Sequence, residues 1–264
     1  MHARAALLLA LAMLAWPPSQ AHAGAWTLAQ GHWQIITSTF ISRVGKSFDA
    51  SGKPSAPADI EKTFTGVDAE YGVLNGVTLI FDPQYSRAVS SGSSGLQTET
   101  DTTIEAGARV RLFDRLGVMA VQATYETAGG FGDTASDPFS RSGARTDVRL
   151  LYGWDYRLFG HPGFMEVEGG YRLNAGRRPN EVPFDATVGF WVIRGVEAFV
   201  QSYTIVSTGT GRKDYGRYMN HKVEFSLVGN LTRKTSLQLG AFVSPDGRNT
   251  WKEQGLMIGL WYRF

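Results

Sequence analysis

The chain has 264 residues carrying 26 basic and 24 acidic side chains, a formal charge of +2. So near a balance gives no electrostatic footprint for nucleic acid, and the sequence pI of 8.8 reflects only the small basic excess. Cysteine is absent, which excludes disulfides and thiolate metal sites.

The first element is a leader. Arg4 is followed by an apolar run from Ala5 to Trp16 and then by Ala21-His22-Ala23, the small-x-small pattern of a cleavage site. The run falls short of the roughly 20 apolar residues that cross a bilayer. We therefore expect residues 1–23 to be a signal peptide removed after Ala23. Subtracting 23 from 264 leaves 241 residues, and the loss of Arg4 leaves 25 basic against 24 acidic groups.

From there the sequence alternates apolar and polar residues in segments bounded by turn signals. The predicted strands run 33–43, 64–74, 77–87, 98–112, 117–127, 144–156, 163–173, 182–192, 196–206, 217–228, 235–243 and 254–264. Tight turns are expected at Asn75-Gly76, Phe113 to Leu116, Leu158 to Pro162 and Ile193-Arg194-Gly195. Between them lie polar, Gly/Pro/Ser-rich stretches that read as long loops: Val44 to Lys62, Ser90 to Gly95, Ala128 to Ser142, Asn174 to Glu181 and Gly209 to Gly216.

Short and long connections thus alternate, as in outer-membrane barrels. About 20 residues per strand and connection accommodate tilted spans of roughly 9 to 11 residues. The expected fold is all-β: a single up-and-down antiparallel transmembrane β-barrel of 12 strands over residues 24–264, with both termini periplasmic. A soluble sandwich or lipocalin-like barrel is the competing fold, since alternation alone does not say which face meets water. In strand four Ile104, Ala106, Ala108, Val110 and Leu112 oppose Thr103, Glu105, Gly107, Arg109 and Arg111. The leader and the final residues decide between the two folds.

The last strand places Leu256, Ile258, Leu260, Tyr262 and Phe264 on one face. The ending Leu260, Tyr262, Phe264 resembles the signal by which the outer-membrane assembly machinery recognises its clients. Under that reading the candidate lumen-lining residues are Asp68, Glu70, Asp82, Glu105, Arg109, Arg111, Arg145, Asp147, Arg149, Glu166, Glu168, Arg172, Asp185, Lys222 and Glu224. They either neutralise one another and fill a narrow lumen or form a constriction that selects solutes. Trp26, Trp33, Trp154, Trp191, Tyr203, Tyr218, Trp251 and Tyr262 are expected in girdles at the two interfaces.

Catalytic signals are weak. Of the mature histidines, His32 and His161 fall at predicted strand ends, and His221 shares a face with Met219 and Val223 rather than with a serine two positions away. No cofactor, metal or catalytic residue is expected, and we read no enzyme here.

The mature start Gly24-Ala25-Trp26-Thr27 resembles the opening of a group of outer-membrane proteins associated with the name XagA. The barrel's overall style is similar to outer-membrane proteins encoded with aromatic meta-degradation pathways, which implies help in the uptake of small hydrophobic compounds. The expected function is a passive channel or transporter for a small solute in the bacterial outer membrane. The expected partners are outer-membrane lipid and lipopolysaccharide, the barrel assembly machinery and the solute, with no nucleic acid, and the expected state is a monomer. A partner-binding barrel whose loops 44–62 and 128–142 engage surface polysaccharide or an export complex is the alternative. An outer-membrane hydrolase comes third.

Overall fold

A computed structural model describes residues 24–92, 95–127, 143–176, 178–211 and 216–264; side chains at 56, 92 and 95 are also left undescribed. The leader and the whole 128–142 stretch lie outside these residues. Twelve strands follow one another: β1 (Trp33–Phe48), β2 (Pro54–Leu74), β3 (Val77–Gly92), β4 (Gly95–Phe113), β5 (Val118–Glu126), β6 (Arg145–Leu158), β7 (His161–Asn174), β8 (Glu181–Ile193), β9 (Val196–Ser207), β10 (Met219–Asn230), β11 (Thr235–Arg248) and β12 (Thr250–Arg263). Each pairs antiparallel with its neighbours in sequence. β1 and β12 close the cylinder, with Gln34 opposite Arg263 and Phe40 opposite Met257. Closure gives every strand a partner on both sides through the apolar band, which a sheet bathed in hydrocarbon requires.

The faces sort as the alternation dictates. Ile104, Val110, Leu150, Leu256, Ile258 and Leu260 are exposed, whereas Arg109, Asp147, Glu166 and Glu224 are buried. An outer surface so rich in aliphatic side chains fits an apolar solvent, since water would penalise so large a contiguous patch. At the end holding the tight turns and both strand termini, Trp33 stacks on Tyr71 at 4.3 Å and on Phe264 at 6.1 Å, and Tyr262 lies against Phe264.

The expected loop at 44–62 is instead a paired hairpin. β1 and β2 continue past the apolar band and turn only at Asp49 to Lys53, and β2 reaches 21 residues, about 70 Å of extended chain. The Ser90 to Gly95 stretch is likewise largely strand. Beyond the band both faces of a hairpin meet water, so alternation is no longer needed and the sequence looks like loop. Pro54 and Pro57 fit because β2 pairs with β3 only as far as Ile60, so beyond that point it has β1 alone as partner.

Asp49 organises this hairpin tip. Its Oδ1 accepts hydrogen bonds from the Ser51 N–H at 2.8 Å, the Ser51 hydroxyl at 2.7 Å and the Lys53 N–H at 3.0 Å. The Ser51 hydroxyl first, and the Lys53 amide next, hold the carboxyl below its ordinary value of 3.8. A depressed carboxylate pKa contributes stability that is present above the unfolded value and lost as pH falls through the folded one. Acidification below about pH 4 should therefore lower the amide-exchange protection of Ser51 and Lys53, with the barrel ladders unaffected. Unchanged protection would show that the turn does not depend on the ionised carboxylate.

Candidate functional site

The lumen divides into an apolar half and a charged half, and the residues preceding β1 create the division. From His32, at the tight-turn rim, the segment Gly24 to Gly31 runs up inside the cylinder. Gly31 donates its N–H to the Gly72 carbonyl at 2.8 Å, and Gln30 donates to Asn75 Oδ1 at 3.1 Å. Further in, the Leu28 N–H donates to Thr78 Oγ1 at 2.8 Å and Arg109 Nη1 donates to the Trp26 carbonyl at 3.1 Å. Two wall glycines make room for it: a β-carbon at Gly72 would overlap the Ala29 carbonyl, and one at Gly153 would press into the Trp26 ring.

Trp26 is the hub of this half. It meets Phe164 edge-on at 5.6 Å and packs against the cluster of Phe164, Phe199, Val228 and Trp261, which Ile36 also joins, and against that of Ala25, Ala120 and Leu151, which Val118 also joins. The wall residues come from seven of the twelve strands, so the core narrows the lumen from more than half of the ring. Trp26 therefore belongs to no interfacial girdle. Trp191, buried, and Tyr203, which borders the lumenal cavity, also face inward. Trp191 shares strand parity with Asp185, so the alternation that placed the carboxylate inside already required it, and Tyr203 stands directly opposite Asp185 on the neighbouring strand.

Above the segment lies a cavity of about 450 Å³. Its lining includes Gly24, Asp68, Asp82, Glu166, Glu168, Asp185 and Arg149, with Phe40, Phe64, Gln201 and Tyr203 among the other wall residues. Five carboxylates face one guanidinium. Arg149 binds three acids: Asp185 at 2.6 Å, Glu168 at 3.1 Å and Asp147 at 3.1 Å. Asp82 Oδ2 accepts from Gln84 Nε2 at 2.7 Å, while Asp68 Oδ1 and Glu166 Oε1 are buried without a hydrogen-bond partner among the described residues.

The remaining candidates occupy the wall around this cavity. Arg109 pairs with Glu70 at 2.9 Å and accepts support from Gln122 Oε1, to which its Nε donates at 3.0 Å. Arg172 bridges Asp147 at 2.7 Å and Glu181 at 3.0 Å, and Arg145 pairs with Glu126. Lys222 pairs with Glu253 at 2.6 Å, where the Ser42 hydroxyl also donates at 2.5 Å. Glu224 is buried with Oε1 unpartnered, and Glu105 stands opposite both Asp82 and Glu126 across the ladders. Arg111 departs from the group: it is exposed at the mouth and pairs with Asp114 of the adjoining turn at 3.3 Å, because β4 ends two residues later.

Sequence reasoning missed Glu126, Glu181, Glu197 and Glu253, all buried. Glu181 and Glu253 lie one residue outside the predicted strand boundaries, on the parity of the inner face. The inward segment was missed as well. Its signal was an apolar Ala25-Trp26-Thr27-Leu28 without a strand partner, together with Leu151, Phe164, Phe199 and Trp261 on the parity that otherwise carries charge. His221 is half-buried, its Nδ1 2.8 Å from Thr204 Oγ1. Among the described residues no group of three or more potential ligands is placed to hold a metal.

No protein-family model and no curated protein matches the sequence. Solved structures do match its fold. The COG4313 outer membrane channel from Pseudomonas putida F1 aligns with a TM-score of 0.68 at 15% identity, covering 94% of this chain and 100% of that one. The translocator domain of the autotransporter NalP from Neisseria meningitidis gives 0.56 at 13%, covering 100% and 97%, and the NanC porin gives 0.54 at 11%, covering 87% and 98%. At such identities the likeness is one of architecture, and the architecture is that of the bacterial outer-membrane β-barrel.

Proposed function

We propose that this protein is a passive channel for a small solute in the bacterial outer membrane, exported by its leader, monomeric, with both termini on the periplasmic side and the long hairpins outside. The observation that carries this reading is the 450 Å³ cavity, walled by charge inside a cylinder whose outer face is aliphatic. Five acids against Arg149 make the cavity a favourable place for cations, as acidic rings do in cation-conducting pores. The charged wall sets the preference, and the Trp26 core narrows the exit beneath it.

Purified protein in planar bilayers under a salt gradient should give discrete conductance steps and a reversal potential favouring cations. Glu168→Gln should reduce that preference. A barrel that stays electrically silent and excludes small solutes in liposome swelling would overturn the reading.

A second reading is favoured by the projecting β1–β2 hairpin, which extends well beyond the apolar band. There the barrel is a platform that engages surface polysaccharide or an export complex. Loss of polysaccharide binding on trimming residues 46–57, with conductance absent from the start, would select it. The stretch 128–142, also part of this reading at the level of sequence, lies outside the described residues.

A further inference from the structure

Glu166 is the least reconciled group in the lumen. It is 3% exposed, Glu168 adjoins it, and its Oε1 has no hydrogen-bond partner among the described residues. An ionised carboxylate in that position is costly unless a cation reaches it, the alternative being that it holds a proton. The neighbouring guanidiniums are committed elsewhere: Arg109 to Glu70, Gln122 and the Trp26 carbonyl, and Arg149 to Asp147, Glu168 and Asp185.

Besides Glu168 and the Ala25 N–H, which hydrogen-bond the carboxyl, Gly24 stands against Glu166. Its backbone has φ +87, and a β-carbon there would overlap the Glu166 carboxylate outright. The nitrogen and β-carbon positions of one residue are about 2.5 Å apart, which puts the Gly24 nitrogen within about 4 Å of Oε1. In an uncleaved chain that nitrogen is a neutral amide. Hydrolysis of the Ala23–Gly24 bond changes its charge: water adds to the Ala23 carbonyl carbon, the C–N bond breaks, Ala23 leaves as a carboxylate, and Gly24 keeps a protonated amine. An α-ammonium carries one positive charge and three donors in place of one.

We propose that the processed amino terminus is a structural cation of the lumen: cleavage after Ala23, the work of an envelope peptidase, creates an ammonium that pairs with Glu166 and fastens the inward segment beneath the acidic cavity. Leader removal thereby completes the fold. The inference rests on removal of residues 1–23 and not on solute passage. A β-carbon at position 24 would have to push the Glu166 carboxylate aside, so glycine is what lets the two stand in contact.

The test uses the whole protein expressed with its leader and purified folded. Terminal sequencing should read Gly24-Ala25-Trp26. A small acylating ester at neutral pH should modify the α-amine at least about tenfold more slowly in the folded barrel than in the urea-unfolded chain. Glu166→Gln should abolish most of that protection while the barrel keeps its folded electrophoretic mobility. If that variant fails to fold, inserting one alanine before Gly24, retained after processing, displaces the amine and should give the same loss.

A mature chain starting elsewhere, an amine that reacts at the unfolded rate, or protection equal in wild type and both variants would overturn the proposal. A protected Gly24 amine on a barrel silent in bilayers leaves it standing and sinks only the channel. A conducting barrel with a freely reactive terminus does the reverse.

Discussion

Replacing Trp26 by alanine is expected to open the lumen while leaving the barrel folded. The indole is the contact through which the inward segment binds Phe164, Phe199 and Trp261 on one side and Leu151 on the other. Truncating a fully buried aromatic costs about 3–5 kcal/mol, and the partly buried Trp26 stands at the lower end of that range. The twelve strand ladders do not involve residue 26, so the loss falls on docking of the segment rather than on the cylinder. A loss of 3 kcal/mol shifts a docked-to-undocked ratio by roughly 150-fold. Single-channel recordings should therefore show larger or far more frequent openings in Trp26→Ala, and deletion of residues 25–29 should make them permanent. Conductance unchanged in both variants would mean that the segment does not control the passage.

Arg149→Gln should destabilise the barrel more than any other single charge removal in the cavity. The guanidinium serves Asp147, Glu168 and Asp185 at once, and its side chain is only 17% exposed. Removing one partner of a buried ionic group leaves uncompensated charge, at a cost of about 3–5 kcal/mol. The urea midpoint, followed by the mobility difference between folded and unfolded barrel, should fall accordingly. Adding Glu168→Gln should recover part of the loss, because one of the stranded carboxylates is then neutral. In bilayers Arg149→Gln should also sharpen cation preference, since the cavity loses its one facing guanidinium. A midpoint equal to wild type would show that water, not Arg149, solvates these acids.

Much of the cylinder was legible from the chain. Alternation with a period of two located the twelve strands and separated Arg109 from Val110 and Arg149 from Leu150, because adjacent side chains in a strand point to opposite faces. It failed at 44–62 and 90–95, where β1 to β4 leave the apolar band and no longer need an apolar face. It also stopped one residue short of Glu181 and Glu253, so two buried acids that answer Arg172 and Lys222 went unseen.

By itself, then, the sequence determined the cylinder, the tight turns and which side chains turn inward, all of which depend on neighbours along one strand or across one hairpin. Only the tertiary structure decided what the interior does. Arg109 meets Glu70 across two ladders, Arg149 gathers acids from β6, β7 and β8, and Trp26 packs against clusters drawn from strands as far apart as β5 and β12. Those contacts exist only once β1 closes on β12, since closure brings into reach residues that no local pattern relates.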